Sequence, residues 1–328
     1  MLNSSTVHNF LFSRWYEHIP ILYRWYEHSM KREIAKGSIP QHVAIIMDGN
    51  RRYARRIGEA SVEKGHALGA RTTEKVIQWC RQLGVRQLTL YSFSTENFQR
   101  AETEKQAIWD LGKRYMKQLR ESPETHEDGL RITCIGDIDM LPEDVRKEVM
   151  ITQDVTNKYE NFFLNMALAY GGRKEIVDSA ARIAEKVKAG ELDPEAITEQ
   201  TIDEYLYFEK KQKSSVDLII RTGGDERTSN FLPWQASGNE CAIYICAPYW
   251  PEFRKVDFYR AIRSYQNREK EHRIKYALRV IKIKKQGGAV HQDEITRMLQ
   301  AGLNIDAAEA RSLLKDNHVA QALKGASQ

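Results

Sequence analysis

The chain has 328 residues, 41% of them hydrophobic and 29% charged, with a formal net charge of +5. That length can bury a substantial core in one large domain with appendages, and the mild positive balance suits anionic substrates or a membrane surface without requiring nucleic acid. No apolar run reaches the ~18–20 residues that span a bilayer, there is no signal peptide with a cleavage site, and Cys80, Cys134, Cys241 and Cys246 form no CxxC pair. Cys241 and Cys246 fall on opposite sides of one strand, so the pattern argues against zinc and for buried thiols in a reducing cytosol.

In chain order, Arg14-Trp-Tyr-Glu-His18 recurs as Arg24-Trp-Tyr-Glu-His28. Pro20 between the copies rules out one unbroken ideal helix, so residues 1–38 read as a kinked or two-part helical arm. Its aromatic and basic residues match the set found at membrane interfaces, and equally an arm packed on the domain's own surface. Ile39 to Tyr53 reads as a buried strand, a break at Asp48-Gly49-Asn50 and a cation-rich helix start. A helix over Glu63–Leu83 ends at Gly84, and a second strand, Arg86–Phe93, breaks at the Ser94-Thr95-Glu96-Asn97 turn. Next come a helix over Glu102–Glu121, a strand over Leu130–Gly136, a helix from Pro142, an apolar strand over Phe162–Ala169 and a helix to about Ala189. Val216–Arg221 and Cys241–Cys246 are the fifth and sixth strands. Alternating strands and helices predict an α/β fold with a doubly wound, mostly parallel six-stranded sheet. From about Lys255 to Lys285 a long helix turns basic, with eight Lys/Arg against two acids from Arg268 onward. That stripe fits a solvated face or an anionic membrane surface. Gly287-Gly288 reads as a linker before short helices over Gln292–Leu323.

Nearly every strand ends in polar or glycine residues, which marks the carboxyl edge of the sheet as the working edge. Asp48 at such an end reads equally well as a helix cap or as the acid of a metal-assisted diphosphate site. The motifs GxxxxGK[ST], GxGxxG and GxSxG are absent, and Asn50 stands where a haloacid-dehalogenase-type phosphatase carries its second aspartate. What remains is an electrostatic set. Asp48 with Asp225 or Glu240 can share Mg²⁺, which takes one or two carboxylates plus substrate phosphates. Arg52, Arg100, Arg221 and Arg227 supply bidentate phosphate partners, and Thr222, Ser229 and the Gly223-Gly224 backbone supply neutral donors. Such a set suits the departure of diphosphate. Apolar residues in Glu63–Leu83 and in the second and fourth strands read either as core or as a trough for a prenyl chain.

The motifs His42-Val-Ala-Ile-Ile-Met-Asp-Gly-Asn-Arg-Arg52, Gly65-His66, Leu90-Tyr-Ser-Phe-Ser-Thr-Glu-Asn97, Tyr170-Gly-Gly-Arg173, Arg221 to Gln235 and Glu240 closely resemble the cis-prenyltransferase family of undecaprenyl and dehydrodolichyl diphosphate synthases. The resemblance covers about Ile39 to Arg268. It implies sequential cis-condensation of isopentenyl diphosphate onto an allylic diphosphate, farnesyl or geranylgeranyl diphosphate, to make a long-chain polyprenyl diphosphate. It further implies that Asp48 assists Mg²⁺ and diphosphate departure, that Gly49, Asn50, Arg51, Arg52 and the helix start cradle the allylic diphosphate, and that His66, Ser94 and Asn97 lie near the reacting centres. Arg100 joins the phosphate side, Arg221, Arg227 and Ser229 match the isopentenyl diphosphate site, Glu240 is the second metal acid, and Tyr53, Phe93 and Phe98 border the prenyl chain. Ala70, Ser92 and Phe162 are tunnel-depth candidates. A homodimer with peripheral contact at the cytoplasmic membrane face is implied as well.

Four departures stand out against that pattern. Val62 replaces an arginine, so one phosphate contact is lost or taken over by Lys64; Asp225 replaces a glutamate; Pro233 replaces a leucine; and no Arg-x-Gly follows Arg268. Residues 1–38 and 269–328 are expected as an arm and a helical extension flanking a catalytic domain over 39–268. A non-catalytic partner subunit, or prenyl transfer to a different acceptor, are the alternative readings.

Overall fold

Short runs of branched and aromatic residues become six strands: β1 (His42–Ile46), β2 (Gln87–Tyr91), β3 (Leu130–Ile135), β4 (Phe162–Ala167), β5 (Leu218–Arg221) and β6 (Ala242–Ile245). All pair in parallel, in the order β3-β4-β2-β1-β5-β6. The helices are α1 (Pro20–Ile34), α2 (Asn50–Arg56), α3 (Val62–Leu83), α4 (Glu102–Glu121), α5 (Pro123–Glu127), α6 (Glu143–Thr156), α7 (Gly172–Lys188), α8 (Glu199–Tyr205), α9 (Lys255–Gly287), α10 (Gln292–Leu303), α11 (Ala307–Leu314) and α12 (Asn317–Lys324). This computed structural model describes residues 20–59, 61–236, 241–287 and 291–324. The first copy of the aromatic repeat, Glu240 and Gly288 of the linker lie outside the described residues.

β1, β2, β4 and β5 are covered on both faces, as parallel sheets require, whereas the edge strand β6 leaves Ile243 exposed. Val43 and Ile45 of β1 join Leu88, Leu90, Leu218 and Ile220 in one core, while Ala44 and Ile46 join Tyr91 and Ile219 in the other. Cys246 falls in the first core and Cys241 in the second, the opposite placement expected from their spacing. β4 stops at Ala167, short of the expected Ala169, because Ala169 turns to φ 47°. α3 is bounded by Ser61, whose Oγ accepts from Glu63 N at 3.2 Å, and by Gly84, whose φ of 81° closes the C-terminus.

Two compact units divide the chain between Tyr265 and Gln266, inside α9. In the first, Met30 and Ile34 of α1 are buried in the main core, and Arg260 lies over the Tyr26 ring at 5.5 Å. Ile21, Leu22 and Trp25 of α1 are exposed. In the second, Val280, Ile281, Ile295, Leu299, Leu314 and Val319 form a separate small core. Gly302 is required there, since a Cβ would meet the Tyr276 hydroxyl at 1.7 Å. No described helix is long and apolar enough to cross a membrane.

The topology locates the site. β1 has β2 on one side and β5 on the other, so the chain builds outward from β1 through β2 in one direction and, after β4, returns to build β5 and β6 in the other. In open α/β sheets that switch point is where ligands bind, beyond the carboxyl ends of the strands.

Candidate active site

Register brings the key charges together. Ile46 pairs with Arg221, so Asp48, two residues past β1, arrives beside the end of β5. Its Oδ1 lies 2.9 Å from Arg52 Nη2 and its Oδ2 accepts from Arg221 Nη2 at 2.8 Å. Burial pushes the Asp48 carboxyl up, but the hydrogen bonds from Arg221 and Arg52 outweigh it and hold the group below its usual value. Arg221 is only 3% exposed, and its Nη1 also donates to Ser229 Oγ at 2.8 Å and to the Arg227 carbonyl. Asp225 gathers three guanidinium groups, from Arg52 at 3.5 Å, Arg221 at 3.3 Å and Arg227 at 3.1 Å. The shorter acid at 225 therefore reaches every arginine of the cluster.

The question of capping is decided by α2 itself. Its N-cap is Gly49, in the left-handed region at φ 106°, and no side chain caps the helix. Of the two readings of Asp48, the helix cap is overturned: both of its carboxylate oxygens are taken by arginines. Gly49 is obligatory on two counts: its φ, and the 2.6 Å at which a Cβ would meet Tyr249 Cδ1. The Tyr249 ring in turn faces the guanidinium groups of Arg52 at 5.2 Å and Arg56 at 5.0 Å.

A second polar group adjoins the first through Asn50. Its Nδ2 lies 3.5 Å from His66 Nδ1, and Gly65 and Gly69 of α3 let it approach, since a Cβ on either would meet Asn50 oxygens at 2.3 and 2.5 Å. Glu104, at the start of α4, pairs with Arg100 at 2.9 Å and Arg51 at 3.7 Å and lies 3.9 Å from His66 Nε2. Burial, then Arg100, pushes the His66 imidazole down to about 4 against the pull of Glu104, so His66 is neutral at physiological pH. Asn50 Oδ1 and His66 Nε2 are buried with no hydrogen-bond partner. Buried polar atoms seldom stay unpaired without a reason.

Those two residues also line a partly open cavity of about 120 Å³. It is walled by α3 (Ala70, Thr73), the end of β2 (Ser92, Phe93), β4 and the facing sides of α4 and α6. The segments read as either core or trough thus surround a real cavity, with Lys113 and Glu148 among its wall residues.

The remaining expected residues take varied places. Phe93 is on the cavity wall, whereas Phe98 packs edge-on against it at 5.1 Å and Tyr53 lies beneath the Arg56 guanidinium at 5.3 Å. Phe162 is in the main core rather than on the wall. Asn97 accepts from Ser94 N at 3.1 Å, so it closes the turn after β2. Lys64 is paired with Glu59. Pro233 packs against Gly172 so closely that a Cβ added there would meet its Cδ at 2.0 Å. Sequence reasoning missed Glu104, although its i,i+4 spacing from Arg100 was a signal, and missed Tyr249 and Trp250, whose indole donates to Gly69 O at 2.9 Å.

Among the described residues no three His, Cys, Asp or Glu side chains are grouped to hold a metal ion. Magnesium needs no such cage, because it accepts one or two carboxylates and completes its shell with substrate phosphate and water. The hard oxygens of Asp48, beside a cluster of arginines, fit that mode.

A six-stranded parallel sheet with an arginine–carboxylate cluster at its switch point, joined through Asn50 to an apolar cavity, has the parts that a transferase of apolar diphosphates needs. Residues 46–273 match the family described as "Putative undecaprenyl diphosphate synthase". The chain is 46% identical over 265 residues to the tritrans,polycis-undecaprenyl-diphosphate synthase (geranylgeranyl-diphosphate specific) of Methanosarcina mazei, covering 80% of this chain and 89% of the relative. It is 47% identical over 254 residues to the same enzyme of Archaeoglobus fulgidus, covering 77% of this chain and 99% of the relative. Among solved structures it resembles lavandulyl diphosphate synthase from Lavandula x intermedia in complex with dimethylallyl diphosphate, with TM-score 0.63 and 31% identity over 71% of this chain and 96% of that one. A probable undecaprenyl diphosphate synthase from Campylobacter jejuni gives TM-score 0.57 and 30% identity over 70% of this chain and 96% of that one. The chain belongs to the undecaprenyl diphosphate synthase family of cis-prenyltransferases, and it is a prenyl transferase of long-chain polyprenyl diphosphate synthesis.

Proposed function

We propose that this enzyme extends geranylgeranyl diphosphate by successive cis-condensations of isopentenyl diphosphate, with Mg²⁺ bound at Asp48. The observation that carries the reading is the continuity of charge and cavity: Asn50 and His66 line the apolar cavity, and Asn50 follows directly on the Asp48–Gly49 turn. The relatives named for geranylgeranyl diphosphate favour a twenty-carbon starter over farnesyl diphosphate.

In each round the C1–O bond of the allylic diphosphate breaks, C1 bonds to C4 of isopentenyl diphosphate, and a proton leaves C2. Arg52 and Arg221 exchange part of their pairing with Asp48 for the arriving phosphate oxygens, which leaves the ionised Asp48 carboxylate available to the metal. When bound, Mg²⁺ supplies neutralisation of the leaving diphosphate charge. Arg227 and Ser229 hold the isopentenyl diphosphate. Neutral His66 presents a nitrogen that can take a hydrogen bond or the departing proton, and Asn97 keeps the Ser94 turn closed over the reacting centres. Glu240 is the second metal acid of the reading.

The enzyme works as a homodimer in peripheral contact with the membrane. Each five-carbon unit adds roughly 3 kcal/mol of attraction to lipid or tunnel, and exposed Ile21, Leu22 and Trp25 of α1 suit that surface. Removal of residues 1–36 should reduce co-sedimentation with anionic liposomes; undiminished binding would rule out a membrane role for the arm. The substrate assignment is tested with labelled isopentenyl diphosphate, Mg²⁺ and starters of ten, fifteen and twenty carbons. Highest kcat/KM with the twenty-carbon starter supports it, and absence of elongation from every starter sinks it.

A further inference from the structure

Among the described residues the least exposed acid is Glu175 on α7, at 0%. A carboxylate in that position needs donors. Three reach it: Tyr170 Oη at 2.5 Å and Gln235 Nε2 at 2.9 Å on Oε2, and Tyr207 N at 2.9 Å on Oε1. Two of these donors lead into the active site from opposite directions.

Gln235 lies at the end of the segment 227–236 that carries Arg227 and Ser229. Within it Ser229, Asn230 and Leu232 hold φ values of 50°, 57° and 50°. Residues with a Cβ stay in that region only where their surroundings hold them there. The start of α7 supplies part of the hold, because Gly172 N and Arg173 N donate to Asn230 O and Oδ1, each at 2.9 Å. Tyr170 supplies another part. Its ring stands edge-on to Tyr91 and Phe231, 5.9 Å from each, and Tyr91 Oη donates to Ser229 O at 3.3 Å. On its other side the Tyr170 carbonyl accepts from Thr95 N at 3.0 Å, within the Ser94–Asn97 turn.

We propose that Glu175 is a positioning residue for the acceptor substrate: by clamping Tyr170 and Gln235 it holds segment 227–236 in the strained form that presents Arg227 and the Ser229 hydroxyl. The proposal rests on the reading that this segment receives isopentenyl diphosphate. Glu175 itself lies behind the segment and touches no reacting atom. Its loss therefore acts first on the acceptor substrate and reaches the allylic side only at second hand, through Arg221, which donates to both Ser229 Oγ and Asp48 Oδ2. The allylic side, built on Asp48, Gly49 and Asn50, has no hydrogen bond to Glu175, Tyr170 or Gln235 among those described.

The test is Glu175→Gln, which keeps volume and removes the charge that accepts three hydrogen bonds. It is read by the KM of each substrate and by amide hydrogen exchange of the full chain. The KM for isopentenyl diphosphate should rise about 10-fold with the allylic KM within about twofold of wild type. Amides of 227–236 should exchange about 10-fold faster while those of β1 and β2 hold their rates. Tyr170→Phe, which removes one hydrogen bond at nearly constant volume, should move both readouts the same way by a smaller factor, and it stands in if Glu175→Gln does not fold. An equal rise in both KM values, or wild-type exchange at 227–236, overturns the proposal. If the wild-type enzyme turns over no isopentenyl diphosphate, the functional reading fails on its own, and the exchange measurement still decides the clamp.

Discussion

Asp48→Asn separates chemistry from structure at the centre of the site. The substitution preserves shape and one acceptor oxygen but turns an –NH₂ toward a guanidinium. Asp48 takes two charge-assisted contacts, at 2.9 Å from Arg52 and 2.8 Å from Arg221. The Arg52 side chain is 37% exposed and that of Asp48 28%, so solvent screens their pair and its loss costs well under about 1 kcal/mol. Arg221 is 3% exposed and keeps Asp225 at 3.3 Å, so it is left underpaired rather than unpaired. The total comes to about 2 kcal/mol, or a fall of about 3–4 °C in Tm for a domain of this size. Turnover should fall far more, on the order of 10³-fold, because preorganised charge at the leaving group is lost. Steady-state kcat with saturating Mg²⁺ is measured alongside thermal melting followed by circular dichroism. A variant that melts within a few degrees of wild type yet keeps a tenth or more of its kcat would refute the reasoning.

Two further outcomes follow from the cavity and the buried imidazoles. Ala70→Leu places three more carbons on the cavity wall and should shorten the longest product by about one or two five-carbon units, as read by mass spectrometry; an unchanged ladder would mean the chain does not run along α3. Burial pushes both His66 and His42 down to about 4, so between pH 4 and 6.5 the unfolded chain binds more protons than the folded one. Stability is complete above about pH 6.5 and declines as pH falls toward 4, by about 2 kcal/mol per histidine at pH 5. His66→Asn should flatten that slope in urea titrations at pH 7 and 5, and a slope equal to wild type would show that His66 is not buried neutral.

Much of this was legible in the sequence because most of the strands are buried on both faces. Phe162–Ala167 announces itself as an apolar run interrupted only by Asn165, and Leu130–Ile135 by apolar residues alternating with Arg131 and Thr133 before the break at Gly136-Asp137. The pairing of Asp48 with Arg221 was legible only as a shared preference for strand ends. Their contact depends on the β1–β5 register across 173 residues, and no local pattern encodes it. Glu104 was lost for a related reason. On its own helix it looks like an ordinary first-turn acid, and only the approach of α2 and α3 brings Arg51 and His66 to it. Within β1, His42 read as part of an apolar run, yet its Nε2 meets Thr89 Oγ1 at 2.7 Å in a buried polar network that only strand pairing creates. The choice between core and cavity behind the strand ends was also invisible to patterning, since wall residues such as Met166 and Phe93 are core-like by type.

In the proposed function, the Asp48–Arg52–Arg221 cluster and the cavity beside it carry out repeated cis-prenyl transfer. The decisive measurement is the product ladder formed by the full chain from geranylgeranyl diphosphate, Mg²⁺ and labelled isopentenyl diphosphate, with the new double bonds assigned by NMR. The expected outcome is a series rising in five-carbon steps with every added double bond cis. A single condensation that stops, or added double bonds that are trans, would contradict it.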